Sequence, residues 1–290
     1  MATAELILDA RSLLGEGPVW LPDTDELLWV DIEGQRVHWL DPRTGADRSV
    51  AVGTHVGAAI PDRVGGLVLA FPHGLARLPA GSEQPQPLVQ LSDDPTLRLN
   101  DAACDRRGRL FVGSMPFDES SPTGSLYRVD PDLEVETIAE SVTISNGIDW
   151  TADDRTMFFI DTVTRRVDRF DYDIETGAAT ARRPFYTLPD DIEGHPDGMC
   201  VDAEGGLWVA LWGGSKVLGL SPDGRVQREI DLPTSQVTSV AFGGAGLSTL
   251  YITTAATGLS PEVLAREPHA GSLFAVDVGV SGVLATPFAG

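Results

Sequence analysis

A short apolar run recurs six times along this chain of 290 residues, and the recurrence restricts the fold more than any other feature. The runs begin 40, 43, 47, 50 and 43 residues apart. They are Leu27–Ile32, Leu67–Phe71, Leu110–Gly113, Met157–Ile160, Leu207–Leu211 and Leu250–Thr253. A period of this length is typical of solenoids and propellers, in which one supersecondary unit is repeated.

Each run is predicted to be the second strand of a repeated antiparallel unit. A shorter strand and a turn rich in Asp and Gly precede the run, as at Asp105–Gly108 and Asp202–Gly205, and a third strand with alternating apolar residues follows it. Four strands repeated six times predict an all-β fold, a six-bladed β-propeller whose first strands line a central channel. We expect Leu6–Leu8 to complete the sheet of the last blade and so to close the ring.

The alternatives to this fold are weaker. An open sandwich of six hairpins would not explain the regular period, and a WD40 propeller would carry repeated Gly-His and Trp-Asp pairs, which this sequence does not repeat. No Pro-, Gly- or Ser-rich linker divides the chain, so we expect one domain over residues 1–290.

The charge balance excludes several classes of partner. Asp plus Glu number 43 against 21 Lys plus Arg, a net charge of −22, which repels nucleic acid and anionic membranes. No window approaches the roughly 20 apolar residues of a membrane-spanning helix, and the first residues lack a basic stretch followed by an apolar one. The two cysteines do not form a disulfide framework. We therefore expect a soluble, cytoplasmic protein that acts on a small molecule.

The aligned first strands place one residue of each unit at the same position around the channel. These residues are Glu16, Gly57, Asn100, Asn146, Asp197 and Thr238. Asn, Asp and Gly also begin strands because they cap turns, but Glu16 lies between two glycines and has no such role. Converging carboxylate and carboxamide oxygens would be unpaired without a cation between them. This pattern predicts a divalent metal: Ca²⁺, Mg²⁺ or Mn²⁺ suit oxygen ligands, and Zn²⁺ and Fe²⁺ are further candidates.

Other polar residues near the channel mouth allow two interpretations each. Arg98 lies two residues before Asn100, on the same face of the strand, and is either a donor to substrate hydroxyls or a surface arginine. His55 and His195 are interpreted as turn or wall residues rather than metal ligands. Cys104 and Cys200 belong to blades that are not neighbours and are expected to be buried, unbonded thiols.

Three common kinds of catalytic motif are absent from the sequence. It contains no Gly-x-Ser-x-Gly elbow, no phosphate-binding loop and no dinucleotide fingerprint, and its Ser and His residues show no spacing typical of a triad. Any hydrolysis by this chain is therefore expected to be assisted by a metal.

Four segments carry a resemblance to a known family. Gly15–Trp20, Arg98–Asp101, Ile144–Trp150 and Pro196–Gly205 resemble the SMP-30/gluconolactonase family, and the resemblance extends from about Leu14 to the end of the chain. It implies a six-bladed propeller with one divalent cation on Glu16, Asn146 and Asp197. It also implies that Arg98 and Asn100 bind the sugar, that Asp197 is the acid/base residue, and that Asp118 or Glu119 is a further substrate contact.

The expected reaction is metal-dependent hydrolysis of a sugar lactone, such as gluconolactone or a pentonolactone, to the open aldonic acid. Two alternatives remain open. The same site would suit non-sugar lactones or organophosphate esters, and a propeller that binds calcium without catalysis would serve as a regulator.

Overall fold

The computed structural model describes residues 3–290 as a ring of six four-stranded antiparallel sheets, which confirms the predicted six-bladed β-propeller. The sixth blade begins with β1 (Glu5–Leu8). The first blade comprises β2 (Gly15–Leu21), β3 (Glu26–Asp31), β4 (Arg36–Asp41) and β5 (Ala46–Ala51). The second comprises β6 (Ala59–Pro61), β7 (Leu67–Phe71), β8 (Gly74–Leu78) and β9 (Gln86–Gln90). The third comprises β10 (Leu97–Cys104), β11 (Leu110–Pro116), β12 (Gly124–Val129) and β13 (Val135–Val142).

The remaining blades follow the same order. The fourth comprises β14 (Ser145–Trp150), β15 (Thr156–Asp161), β16 (Arg166–Asp173) and β17 (Ala178–Thr187). The fifth comprises β18 (His195–Val201), β19 (Leu207–Trp212), β20 (Lys216–Leu220) and β21 (Val226–Asp231). The sixth adds β22 (Val237–Gly243), β23 (Thr249–Thr254) and β24 (Leu273–Asp277) to β1. Short 3₁₀ turns lie at Thr162–Thr164 and Ala245–Leu247, and α1 (Pro261–Leu264) is one turn of α-helix.

The core consists of six apolar clusters, each between two neighbouring blades. In β3, Leu28 and Val30 pack toward the second blade, whereas Leu27 and Trp29 pack toward the sixth. Because successive side chains of a strand point to opposite faces, a strand buried on both faces needs a continuous apolar run. This explains why the second strands gave the clearest signal in the sequence.

The first and the last strands of the chain pair with each other in the sixth blade. Strand β1 pairs antiparallel with β24, with Glu5 opposite Ala275 and Leu6 opposite Phe274. The expected closure by Leu6–Leu8 is therefore confirmed, and the closing strand also includes Glu5. Its pairing covers an edge of β24 that would otherwise be open.

The innermost strands are bulged at the position that the repeat alignment singled out. The pairing of the inner strand with its neighbour shifts register in five blades: between Glu16 and Val19, Leu99 and Ala102, Ser145 and Ile148, Pro196 and Met199, and Val237 and Ser239. A bulge bends its strand and changes the direction of a side chain. Four of the predicted ring residues, Glu16, Asn100, Asn146 and Asp197, face the channel cavity at these bulges, whereas Thr238 is fully buried and donates to the Gly15 carbonyl.

The second blade departs from the expected pattern. Its inner strand was predicted from Gly57 but begins at Ala59, so Gly57 precedes the strand. A Cβ atom on Gly57 would come within 2.7 Å of the backbone Cα of Asn100. A side chain at this point would collide with the third blade, so this blade contributes no polar group to the ring.

The segment after β24 crosses the end of the channel where the inner strands finish. It forms isolated bridges from Gly282 to Asp202 of the fifth blade and from Phe288 to Asp62 of the second. The Ala289 amide donates to the Gly108 carbonyl of the third blade at 3.0 Å. Phe288 is fully buried between the second and third blades. This C-terminal segment thus connects blades that are not neighbours in the ring.

Truncation of Phe288 tests how much this segment stabilises the ring. Phe288→Ala is expected to lower the free energy of unfolding by about 3–5 kcal/mol, since it leaves a cavity at a fully buried aromatic position. Leu284→Ala on the same segment is the control: Leu284 is 43% exposed, and we expect a change of about 0.5 kcal/mol or less. Equilibrium unfolding in urea measures both, and equal losses in the two variants would contradict the anchoring role of Phe288.

Within residues 3–290 no helix is long and apolar enough to cross a membrane. The thiols of Cys104 and Cys200 are free, as expected, but they are half-buried and not fully buried. Both line a small cavity of about 120 Å³ at the end of the channel that the C-terminal segment crosses.

Candidate functional site

A cavity of about 330 Å³ opens where the inner strands begin, opposite the C-terminal segment. All five residues that the sequence predicted for the site line it: Glu16, Arg98, Asn100, Asn146 and Asp197. Each is buried, with a relative exposure between 5% and 7%. The remaining wall includes Ile32, Glu33, Met115, Glu119, Thr162, Trp212, Gln236 and Thr257. The structure therefore brings the predicted residues together from the first, third, fourth and fifth blades.

Two buried aspartates hold the segments that lead into Glu16 and Asn146. Asp31, at the end of β3, accepts hydrogen bonds from the Leu13 and Leu14 amides at 3.1 and 3.0 Å. Asp161, at the end of β15, accepts from the Thr143 and Ile144 amides at 3.1 and 3.0 Å. Glu16 lies two residues after Leu14 in the first blade, and Asn146 lies two residues after Ile144 in the fourth. The same local device thus positions both side chains.

Close packing of backbones brings the fourth and fifth blades together at the site. A Cβ atom on Gly147, which follows Asn146, would come within 2.6 Å of Met199 and 3.0 Å of the Asp197 carbonyl oxygen. Only glycine leaves room for the two inner strands to approach in this way. The proximity of Asn146 and Asp197 therefore depends on Gly147.

Two of the four carboxyl groups that line the cavity, those of Glu16 and Asp197, hold protons far more tightly than carboxylates in water. Burial raises the pKa of Glu16 to about 8, the negative charge of Asp101 adds to this, and the Gly17 amide and Arg98 oppose it. Burial also raises the pKa of Asp197 well above its usual value, and the charge of Glu16 is the next cause. Burial lowers the pKa of Arg98, while Glu119 and Glu16 oppose that change. Ionisation of both carboxyl groups is therefore unfavourable without a positive charge beside them, and Arg98 supplies that charge only in part.

A chain of hydrogen bonds connects the third, fourth and fifth blades across the site. Arg98 donates to Asn100 Oδ1, and Asn100 Nδ2 donates to Asn146 Oδ1 and to the Ser145 carbonyl, each at 2.8 Å. Asn146 Nδ2 donates to Thr162 Oγ1 at 2.8 Å, and Thr162 Oγ1 donates to the Pro196 carbonyl at 2.8 Å. Both N–H groups of Asn100 are therefore used within the protein.

The donor set fits a hard divalent cation. No group within residues 3–290 donates a hydrogen bond to the Asp197 carboxylate, and Glu16 accepts only from the Gly17 amide, at 2.9 Å. Asn146 Oδ1 accepts one hydrogen bond and keeps a second lone pair. Buried carboxylate oxygens with free lone pairs are costly unless a cation pairs with them. Within the described residues no group of three or more His, Cys, Asp or Glu side chains is placed to hold a metal ion, so a site here requires the carboxamide of Asn146 beside the two carboxylates.

The loop between β11 and β12 contributes Glu119 to the cavity wall, whereas Asp118 is not among the lining residues. Asp118 instead accepts a hydrogen bond from the Ser120 amide at 3.1 Å. His55 and His195 also lie outside the lining. His55 packs edge-on against Phe117 with ring centroids 5.5 Å apart, and His195 is exposed at the first position of β18, so His195 is a strand residue and not a turn residue.

The sequence reasoning missed Thr162, Gln236 and Glu33. Gln236 donates from Nε2 to the Thr257 carbonyl at 3.1 Å, and Glu33 accepts from Thr257 Oγ1 at 2.7 Å. The cavity wall includes residues directly after the second strands, as Ile32 and Thr162 show. That position was available from the repeat alignment, which considered only the inner strands.

Comparison with known proteins gives a consistent family. Residues 14–256 match the family described as SMP-30/Gluconolactonase/LRE-like region. The pentonolactonase XacC of Haloferax volcanii is 41% identical over 288 residues, covering 97% of this chain and 96% of the relative. Regucalcin of Xenopus laevis is 37% identical over 294 residues, covering 99% and 98%. A crystal structure of the calcium-binding protein regucalcin from Agrobacterium tumefaciens is 27% identical, covers 100% and 98%, and superposes with a TM-score of 0.94.

Proposed function

Because the chain belongs to the SMP-30/gluconolactonase/LRE-like family, we propose that it is a metal-dependent hydrolase of sugar lactones, which opens an aldonolactone to its aldonic acid. The observation that carries this proposal is the buried pair of carboxylates, Glu16 and Asp197, with free lone pairs beside a carboxamide oxygen and an arginine in one cavity. A relative named a pentonolactonase supports the substrate class.

Glu16, Asn146 and Asp197 are the residues that would hold the metal. Bound there, a divalent cation would polarise the lactone carbonyl and stabilise the negative charge that develops on its oxygen. Three protein ligands leave coordination positions for other oxygens. Ca²⁺, Mg²⁺ and Mn²⁺ suit this set of oxygen donors, and the relative from Agrobacterium is described as calcium-binding.

Asp197 is proposed to move the protons of the reaction. Its carboxylate lines the cavity and accepts no hydrogen bond from residues 3–290, so its lone pairs are available there. It would take a proton from the attacking water and later deliver one to the ring oxygen as the lactone C–O bond breaks. A positive charge nearby lowers the basicity of a carboxylate, so this double role is tested separately below.

Arg98, Asn100 and Glu119 are proposed to orient the sugar. Arg98 offers a planar set of donors to hydroxyl or carbonyl oxygens. Since both N–H groups of Asn100 are used within the protein, Asn100 can meet a sugar hydroxyl only through the remaining lone pair of Oδ1. Glu119 would accept hydrogen bonds at the rim. These contacts orient the substrate and supply little of the chemistry.

A second function, calcium binding without catalysis, is favoured by the description of the Agrobacterium relative. Turnover of a lactone panel distinguishes the two. Purified protein with verified metal content is assayed with a pH indicator on glucono-, xylono-, galactono- and arabinonolactone, and on a non-sugar lactone and an organophosphate ester. Hydrolysis of a sugar lactone supports the proposal. Failure on every sugar lactone with metal bound would contradict it.

The unpaired cysteines agree with a reducing, cytoplasmic location.

Replacement of Arg98 separates substrate binding from metal binding. Arg98→Ala is expected to raise KM about 10–100-fold, because hydrogen bonds to a charged group contribute about 1.5–3 kcal/mol. The bound metal should stay near the wild-type amount, since arginine is no metal ligand and the Ser145 carbonyl, which can only accept, still fixes the carboxamide of Asn100. Arg225→Ala, at a side chain that is 82% exposed, is the control with unchanged KM. Loss of metal from Arg98→Ala would show that its role is wrongly assigned.

A further inference from the structure

We propose that Thr162 is a positioning residue of the metal site, which fixes the side chain of Asn146 so that its carbonyl oxygen faces the cavity. The inference rests on the proposed function, because it concerns how Asn146 meets the cation. Thr162 is 8% exposed, lies directly after β15 and lines the cavity. Nothing about a threonine at this position marked it in the sequence.

The chemistry of the two ends of the hydrogen-bond chain sets its direction. Arg98 can only donate, so Asn100 must present Oδ1 to it and its amide hydrogens to Asn146 and to the Ser145 carbonyl. At the other end, the Pro196 carbonyl can only accept. The hydroxyl hydrogen of Thr162 is thereby engaged, and its oxygen can only accept from Asn146. If the carboxamide of Asn146 were reversed, its N–H groups would face the N–H group of Asn100, and its carbonyl oxygen would face the Thr162 oxygen. Two donors would then meet at one end and two acceptors at the other.

Loss of the Thr162 oxygen would therefore allow the carboxamide of Asn146 to direct an N–H group into the metal site. Asn146 is 5% exposed, and a buried N–H without an acceptor costs about 1–3 kcal/mol. The acceptors that remain in the cavity wall include the carboxylates of Glu16 and Asp197, the other two proposed ligands. An Asn146 N–H directed at them would compete with the cation for their lone pairs.

Thr162 also connects two of the three proposed ligands. Its hydroxyl donates to the carbonyl of Pro196, the residue directly before Asp197, and accepts from the side chain of Asn146. One side chain thus ties the Asn146 carboxamide to the backbone that carries Asp197. A fixed separation between ligands from two blades is what a preorganised metal site requires.

The test is a calorimetric titration of metal-depleted protein with Mn²⁺. Thr162→Val is expected to raise the Mn²⁺ Kd about 10–100-fold, the usual cost of losing a residue that orients a ligand. Thr162→Ser should bind within about threefold of wild type, because serine keeps the same donor and acceptor. Thr162→Ala is the second variant without the oxygen, and thermal unfolding verifies that each variant is folded.

Thr254→Val is the matched control. Thr254 is also fully buried and donates to a backbone carbonyl, that of Ser272, at 2.7 Å, but it does not line the cavity. It should bind Mn²⁺ like wild type. If Thr254→Val weakens binding as much as Thr162→Val, general loss of packing is the cause and the inference is wrong. Unchanged Mn²⁺ affinity in both Thr162→Val and Thr162→Ala would also overturn it.

A double-mutant cycle isolates the orientation of Asn146. In an Asn146→Asp background both side-chain oxygens can face the ion, so no carboxamide orientation remains to be fixed. There Thr162→Val should change the Mn²⁺ Kd less than about threefold, which makes the two effects non-additive. A wild-type protein that binds neither Mn²⁺ nor Ca²⁺ contradicts the proposed function. A wild-type protein that binds Mn²⁺ and hydrolyses lactones, with no effect of Thr162→Val, contradicts only this inference.

Discussion

Removal of the divalent cation is expected to abolish lactone hydrolysis, with a loss of at least about 10²–10³-fold, the amount that removal of one oxyanion-stabilising group costs. Among the described residues that line the cavity, Arg98 is the one with a positive charge, and it already donates to Asn100. Without the ion, the lactone carbonyl would lose its main electrophilic partner. Activity is measured after chelation and dialysis, with elemental analysis of the same sample.

The same experiment has a stability readout. Binding that occurs only in the folded state stabilises it by about 2.7 kcal/mol at a metal concentration of 100 times Kd. The metal-free protein should therefore unfold at lower temperature, and re-addition of the cation should restore both activity and stability. Chelator already saturated with the metal is the control for effects of the chelator itself. Full activity in protein verified to be metal-free would contradict the metal-dependent mechanism.

Asp197→Asn is expected to lower kcat by about 10²–10⁴-fold or more at saturating metal, because a general base contributes that much. Asparagine keeps an oxygen donor of nearly the same size but cannot accept the proton of the attacking water. Metal binding should weaken moderately, so kcat must be measured with the metal site filled. Otherwise lost occupancy would imitate lost chemistry.

Asn146→Asp is the matched comparison, since it changes a neighbouring ligand in the opposite sense. Asn100 can still donate to a carboxylate at this position, and the Thr162 hydroxyl can rotate toward it. The metal should bind at least as tightly, and kcat should fall much less than in Asp197→Asn. Near-normal kcat in metal-saturated Asp197→Asn would remove the role of base from Asp197.

The sequence predicted the blades because their second strands are buried on both faces. A run such as Leu27–Ile32 serves two interblade clusters at once, so it is apolar throughout and its period is visible. The ring residues could be predicted for a related reason: the same bulge recurs at the same point of five inner strands. Repetition converts a weak local signal into a reliable one.

What the sequence did not predict depends on contacts between parts of the chain that the repeat does not relate. Gly57 precedes its strand because the neighbouring blade leaves no room there, and such a contact between blades has no local signature. Thr162 acts through hydrogen bonds to Asn146 of its own blade and to Pro196 of the next blade, which only the folded chain brings together. Glu119 and Asp118 are adjacent in an irregular loop, where no period determines which side chain faces the cavity. Phe288 is buried by contacts more than 150 residues distant in the sequence.

The C-terminal segment has a consequence for how molecules enter and leave. Val283 and Leu284 help to line the small cavity at its end of the channel, and this cavity shares no lining residue with the one that holds Glu16 and Asp197. In the proposed reaction we therefore expect substrate and product to pass through the same opening. The lactone is neutral, whereas the acid it becomes is an anion leaving a protein of net charge −22 past Glu33 and Glu119. Like-charge repulsion at that opening favours departure of the acid over its return. With the C-terminal segment across the far end, the charge of the rim therefore promotes release of the product.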